Sequence, residues 1–198
     1  MDILELLATI TKMDILELLA TITGVLSVWY ARNNNVLVFP TGIISVLIYV
    51  FIYYENKIYA EAGINIYYFI MSVYGWILWT SKNKEIKKTI SKNDLHENLA
   101  YLFMFFILFL ILYFVLKNTD SDIIFLDSLT TALSLTAMLL LARRKIENWI
   151  YWIIADIIYI PLFIYKELYI TSFQYLVFLI LAISGYFEWK NQLKNDKN

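Results

Sequence analysis

Residues 147–165 read ENWIYWIIADIIYIPLFIY. Past Glu147 and Asn148 the run is apolar and aromatic as far as Lys166, with one carboxylate, Asp156, near its middle. An α-helix rises about 1.5 Å per residue, so about 20 predominantly apolar residues cross the ~30 Å hydrocarbon core of a bilayer. The stretch therefore predicts a membrane-spanning helix over Asn148–Tyr165. Similar stretches recur through the chain, which is 61% hydrophobic and 18% aromatic. Its mean hydropathy is +0.63. Soluble domains are closer to half apolar, and a membrane β-barrel would show short alternating segments instead.

Seven spans are predicted: Glu17–Ala31, Val36–Tyr54, Ala62–Thr80, Asn98–Leu116, Asp127–Ala142, Asn148–Tyr165 and Leu168–Phe187. The expected fold class is an all-α membrane protein. The net charge of −1 offers no nucleic-acid signal, and with no cysteine there is no disulfide framework, thiol chemistry or cysteine metal site. The single histidine, His96, is read as a solvated residue of a Lys-rich loop. At the N-terminus MDILELLATIT occurs twice, at 1–11 and 13–23, with Lys12 between. Eleven residues cannot span a bilayer, and the acidic first copy lacks the basic start of a signal peptide. The segment 1–12 is read as a duplication that adds nothing to function, or as a short amphipathic helix on the membrane surface.

Charge orients the chain. On one side lie Arg32, then Lys82, Lys84, Lys87, Lys88 and Lys92, then Arg143, Arg144 and Lys145, then Lys190, Lys194 and Lys197. The other side holds Lys12, Lys57, Lys117 and Lys166. Positive loops stay in the cytoplasm, which puts the C-terminus inside and the N-terminus outside.

The halves also repeat. Shifted by about 110 residues, Leu19 meets Leu129, Thr21 meets Thr131, Tyr49 meets Tyr159 and Tyr59 meets Tyr169. The pair Ile43–Ile44 meets Ile153–Ile154, and Glu17 meets Asp127. GWILW at 75–79 falls on GYFEW at 185–189, so a Gly-x-x-x-Trp ending is common to both. The expected plan is a first three-helix repeat at 13–80, a cytoplasmic loop at 81–97, a linking helix at 98–117, a second three-helix repeat at 123–190 and a tail at 191–198. An odd linking helix keeps the repeats parallel. This is the SWEET-like 3+1+3 arrangement, in which a substrate site is expected between the bundles near the midplane.

On a helix Trp149, Trp152, Asp156 and Tyr159 fall at i, i+3, i+7 and i+10, within about one quadrant. An acid at the centre of a span costs about 2.5–3.5 kcal/mol on insertion scales, so it is expected to face a cavity or a partner. No Lys, Arg or His lies at similar depth. Aromatic faces with a carboxylate suit a flat cationic ring, through stacking, cation–π attraction and a charged acceptor. The third span offers Asn65, Tyr68, Ser72 and Trp79 on one face; the seventh offers Ser184 beside Gly185, with Gln174 shallower. Thr131 and Ser134 share a stripe with Asp127 and also suit helix packing. Glu17 and Asp127 read either as helix-end acids or as outer gate residues. Pro40 with Gly42, and Pro161, are hinge candidates or static kinks.

Other functional classes fit less well. A retinal protein needs a lysine deep in a span, and Lys166 and Lys190 only flank the seventh. An enzyme needs a second acid, a base or a metal group beside the deep carboxylate. Proton-coupled transport through Asp156 stays open as an alternative mechanism.

These residues bear a resemblance. RRKIENWIYWIIAD, the preceding LDSLTTALSLTAMLL and the earlier IYAEAGINIYYFIMSVYGWILW resemble the Pnu family of bacterial vitamin transporters, over about Met13 to Lys190. The resemblance implies seven helices in the bacterial inner membrane, no resident cofactor, and uptake of an unphosphorylated vitamin by facilitated diffusion. It implies trapping by a cytoplasmic kinase as functional partner, and a homotrimer. By motif, Trp149 and Trp152 would line the substrate site and Asp156 would contact the substrate. Nicotinamide riboside members usually carry Asn at Asp156, Gln at Asn65, and Asn at Ser72 and Ser184. On those four differences the expected substrate is thiamine first, nicotinamide riboside second, riboflavin after.

Overall fold

The computed structural model describes residues 3–83, 85, 88–117 and 123–195, with the side chains of residues 3–12 and 170 left aside. Lys84, Lys87 and Lys197 of the charge count lie outside the described residues, as do Met1 and Asp2 of the first repeated block. Seven helices follow in order: α1 Ile3–Arg32, α2 Val38–Glu55, α3 Tyr59–Thr80, α4 Leu95–Leu116, α5 Ile124–Ala142, α6 Asn148–Tyr165 and α7 Tyr169–Asn195. All seven are long and apolar enough to cross a membrane. Among the described residues no strand occurs, only an isolated bridge between Ser91 and Lys145.

Several boundaries differ from the sequence expectation, and three of the differences are informative. The α4 helix begins at Leu95, ahead of Asn98, because Asp94 and Glu97 form a capping box. The Asp94 carboxylate accepts from the Glu97 N–H at 2.7 Å, and Glu97 accepts from the Asp94 N–H at 3.1 Å. His96 is thereby an exposed residue of the first helical turn and not of the loop. The α1 helix runs unbroken through Lys12, so the backbone of 3–12 continues the span at Met13–Arg32. The α7 helix continues past Phe187 to Asn195, where Gln192 donates to Glu188 at 3.1 Å and Lys190 sits 5.6 Å from the Tyr186 ring. Most of the expected tail is helix.

The chain divides into two compact units, Met1–Ile77 and Leu78–Asn198. In the first, α1 packs on α2 through small residues. Ser27 Oγ donates to the Val38 carbonyl and Ser45 Oγ to the Ala20 carbonyl, both at 2.7 Å. A Cβ on Gly42 would stand 2.9 Å from Ser27 Oγ. In a bilayer, close approach and hydroxyl bonds of this kind replace the hydrophobic effect as the force between helices. In the second unit, α5 packs against both α4 and α6, and α6 against α7. That central place makes α5 the most enclosed span, with 61% of its window buried. Phe105, Ala132, Leu133 and Ala155 form its core.

The two halves share fine detail at the offset of 110 residues. Asn34 and Arg144 have φ of 52° and 56°; Lys57 and Glu167 have 61° and 58°. Each closes a helix in the left-handed cap geometry, with the same hydrogen bonds. Asn35 N–H donates to Tyr30 O as Lys145 does to Leu140 O, both at 2.9 Å, and Ile58 donates to Tyr53 O as Leu168 does to Phe163 O, both at 2.8 Å. The Tyr49 hydroxyl meets Thr21 Oγ1 at 3.1 Å, and that of Tyr159 lies close to Thr131.

The prolines differ in setting. Pro40 is the third residue of α2, in a first turn whose N–H groups have no helical partner, so it costs no helical bond there. Pro161 lies inside α6 and withdraws a donor from the helix.

Candidate functional site

The sixth helix brings Trp149, Trp152, Asp156 and Tyr159 to one face, and the four have different surroundings. Asp156 is 2% exposed, and among the described residues no hydrogen bond or ion pair reaches its carboxylate. Trp152 is half-buried, and its indole stacks on no ring among the described residues. Trp149 is 1% exposed and meets Trp189 edge-on, with ring centroids 5.5 Å apart. Tyr159 is turned toward α5, packed against the core at Ala132 and Leu133 and close to the hydroxyls of Thr130, Thr131 and Ser134. Its ring lies 4.5 Å from Tyr175 and stacks with Phe163. Tyr159 is thus enclosed by α5 and its neighbouring rings, whereas the Asp156 carboxylate and the Trp152 face keep their binding capacity. Thr131 and Ser134, which also suited helix packing, lie close to that tyrosine, as does Thr130, whose hydroxyl donates to the Leu126 carbonyl at 2.8 Å.

Ser184, on α7, donates to the Leu181 carbonyl at 2.9 Å and directly precedes Gly185, on which Trp149 rests. Gln174 is half-buried on the same helix. Asn65, Tyr68 and Ser72 belong to the first unit. There Asn65 Nδ2 donates to the Glu61 carbonyl at 2.9 Å, Tyr68 meets Tyr67 edge-on at 6.0 Å, and Ser72 is buried. Glu17 is exposed on α1. Asp127 accepts from Lys166 Nζ at 3.1 and 3.3 Å, which ties the start of α5 to the end of α6.

At the opposite end of those helices each basic residue of the α5–α6 turn makes a contact. Arg143 donates to the Tyr101 hydroxyl at 3.1 Å and Lys145 pairs with Glu97 at 2.6 Å. Arg144 donates to the Lys88 carbonyl at 2.7 Å, with its guanidinium 3.9 Å above the Trp79 ring. Burial lowers the Arg144 pKa from 12.5 to about 10, so the side chain stays charged at neutral pH. Such π-faced, hydrogen-bonded arginine fixes a loop in place.

The sequence missed the packing partners of the site. Gly185, Trp189, Tyr175 and Phe163 come from α7 and the far end of α6, and only the repeated Gly-x-x-x-Trp ending marked any of them. Chemically, a buried unpaired carboxylate beside an open indole face can take a flat cationic ring: the indole provides area and quadrupole, the carboxylate provides charge and an acceptor.

The chain is similar to the nicotinamide riboside transporter PnuC of Escherichia coli (strain K12), with 25% identity over 198 residues, 86% of this chain and 83% of the relative. It is similar to the protein of that name from Neisseria mucosa, with 23% identity over 187 residues, 87% of this chain and 70% of the relative. Its fold matches the crystal structure of the vitamin B3 transporter PnuC with a TM-score of 0.72 at 22% identity, over 91% of this chain and 82% of that one. Residues 14–191, the whole seven-span core, match the model of the family described as nicotinamide mononucleotide transporter, and the chain belongs to that family.

Proposed function

We propose that the protein carries nicotinamide riboside into the cell across the bacterial inner membrane by facilitated diffusion, with a cytoplasmic kinase trapping the product. The observation that carries this reading is the buried, unpartnered Asp156 carboxylate on the same helix face as the open ring of Trp152. The nicotinamide ring of the riboside is flat, cationic and carries an amide donor, which matches an indole face and a carboxylate. The names of the relatives in Escherichia coli and Neisseria mucosa support the same substrate. This reverses the thiamine-first ranking, which rested largely on Asp156. A carboxylate attracts a pyridinium and a thiazolium alike, so that residue does not favour thiamine.

In this reading Trp149, Trp152 and Asp156 contact the substrate, Tyr159 positions the site, and Asn65, Tyr68, Ser72 and Ser184 supply further polar or aromatic contacts. The α1–α3 and α5–α7 segments act as two copies of one repeat joined by α4; the matched helix caps support this plan. Glu17 and Asp127 stand at the outer ends, with the Asp127–Lys166 pair as a gate contact. Isothermal titration of the purified protein tests the substrate. Saturable binding of nicotinamide riboside with much weaker thiamine binding is expected, and the reverse order overturns it.

The unpartnered state of Asp156 also favours a second mechanism, in which this carboxylate takes up a proton during the cycle. Uptake into proteoliposomes with and without an imposed pH gradient separates the two. Facilitated diffusion is expected to ignore the gradient, and acceleration by an inward proton gradient would replace it with coupling.

A further inference from the structure

The Gly-x-x-x-Trp ending of α7 has no part in substrate contact, yet it touches the residue that does. A Cβ built on Gly185 would lie 2.7 Å from Cζ2 of Trp149 and 2.8 Å from its Cε2 and Cη2. Real side chains do not approach that closely, so the indole lies directly against the α7 backbone at a place only glycine leaves open. One helical turn on, Trp189 meets the same indole edge-on at 5.5 Å, with the planes at 86°. Trp189 is fully buried and is backed in turn by Trp79 at 6.0 Å, whose own indole N–H donates to the Ala142 carbonyl at 3.1 Å. The indole N–H of Trp149, in contrast, has no acceptor among the described residues. The ring is thus held by shape alone: glycine as floor, tryptophan as wall.

We propose that Gly185 and Trp189 form a socket that fixes the Trp149 ring, and so act as positioning residues that set substrate affinity without touching substrate. The effect on affinity rests on the nicotinamide riboside reading; the socket itself does not. The first half carries the same Gly75–Trp79 ending, with Phe39 at the register of Trp149. A smaller ring therefore stands at that register of the first half.

The test combines titration with nicotinamide riboside and circular dichroism of the paired indoles in detergent-purified protein. Gly185→Ala displaces the ring, and is expected to weaken binding about tenfold and to change the indole signal. In a Trp149→Phe background the smaller ring leaves room for a methyl group, and Gly185→Ala is expected to change affinity by less than about twofold. Trp189→Phe removes part of the wall without overfilling the site, and covers the case in which Gly185→Ala does not fold. It is expected to weaken binding while the thermal midpoint moves little. Equal penalties for Gly185→Ala in both backgrounds, or unchanged affinity with an unchanged indole signal in Trp189→Phe, overturn the proposal. Wild-type protein that does not bind nicotinamide riboside removes the substrate reading instead, and the indole signal of the variants then upholds or overturns the socket by itself.

Discussion

Asp156 gathers most of the chemistry into one side chain. Two of its neighbours on the helix face are already occupied in part: Trp149 by Trp189, Tyr159 by Tyr175 and Phe163. The carboxylate has neither a hydrogen bond nor an ion pair among the described residues. If it acts chiefly as an acceptor, Asp156→Asn should keep nicotinamide riboside affinity within a few-fold, because the amide oxygen still accepts. Asp156→Ala should lose about tenfold or more, since a buried donor on the substrate would go unpaired at a cost of about 1–3 kcal/mol. Titration calorimetry on both variants checks this, and equal losses would assign the effect to charge. The residue was legible in sequence because an acid in an apolar run stands out by its cost. The difference between Trp149 and Trp152 was not legible. Their helical spacing is the same, and only the approach of α7, some 36 residues away in sequence, closes one ring and leaves the other open.

Among the elements, spans were the most readable feature, because each is a run of apolar residues at bilayer length. Their ends were less so. The start of α4 is set by the reciprocal bonds of Asp94 and Glu97, which hydropathy does not register. Asp94→Ala removes an N-cap and should cost about 1 kcal/mol, seen as a lower thermal midpoint in detergent with substrate affinity unchanged. The α7 helix overruns its apolar segment because Glu188, Lys190 and Gln192 continue its pattern without a breaker. Within α6, Pro161 leaves one carbonyl without its helical donor, five residues past Asp156. As a hinge it should matter for rate and not for binding: Pro161→Ala is expected to slow uptake into proteoliposomes several-fold while affinity stays level. An unchanged rate would make it a static kink. Pro40, in the first turn of α2, offers no such effect.

For the whole molecule, the match between the halves reaches below sequence identity. Asn34 and Arg144 share no chemistry, nor do Lys57 and Glu167, yet each pair adopts one left-handed geometry at one register. The sequence suggested a repeat through Tyr, Thr and Gly-x-x-x-Trp matches. It could not show the caps, because none of the four positions is the glycine that usually marks them. A left-handed L-residue costs roughly 1–2 kcal/mol, part of which glycine returns as chain entropy. Lys57→Gly and Glu167→Gly should therefore each raise the thermal midpoint, and by similar amounts. Opposite signs would mean that the two halves bear different strain. The reach of α7 has a practical result as well. Its 27 residues span about 40 Å, more than the ~30 Å of hydrocarbon. Its far end is therefore a stiff handle in water, continuous with the backbone under Trp149. A domain or binder that grips residues 190–195 would have mechanical access to the Trp149 ring from outside the bilayer.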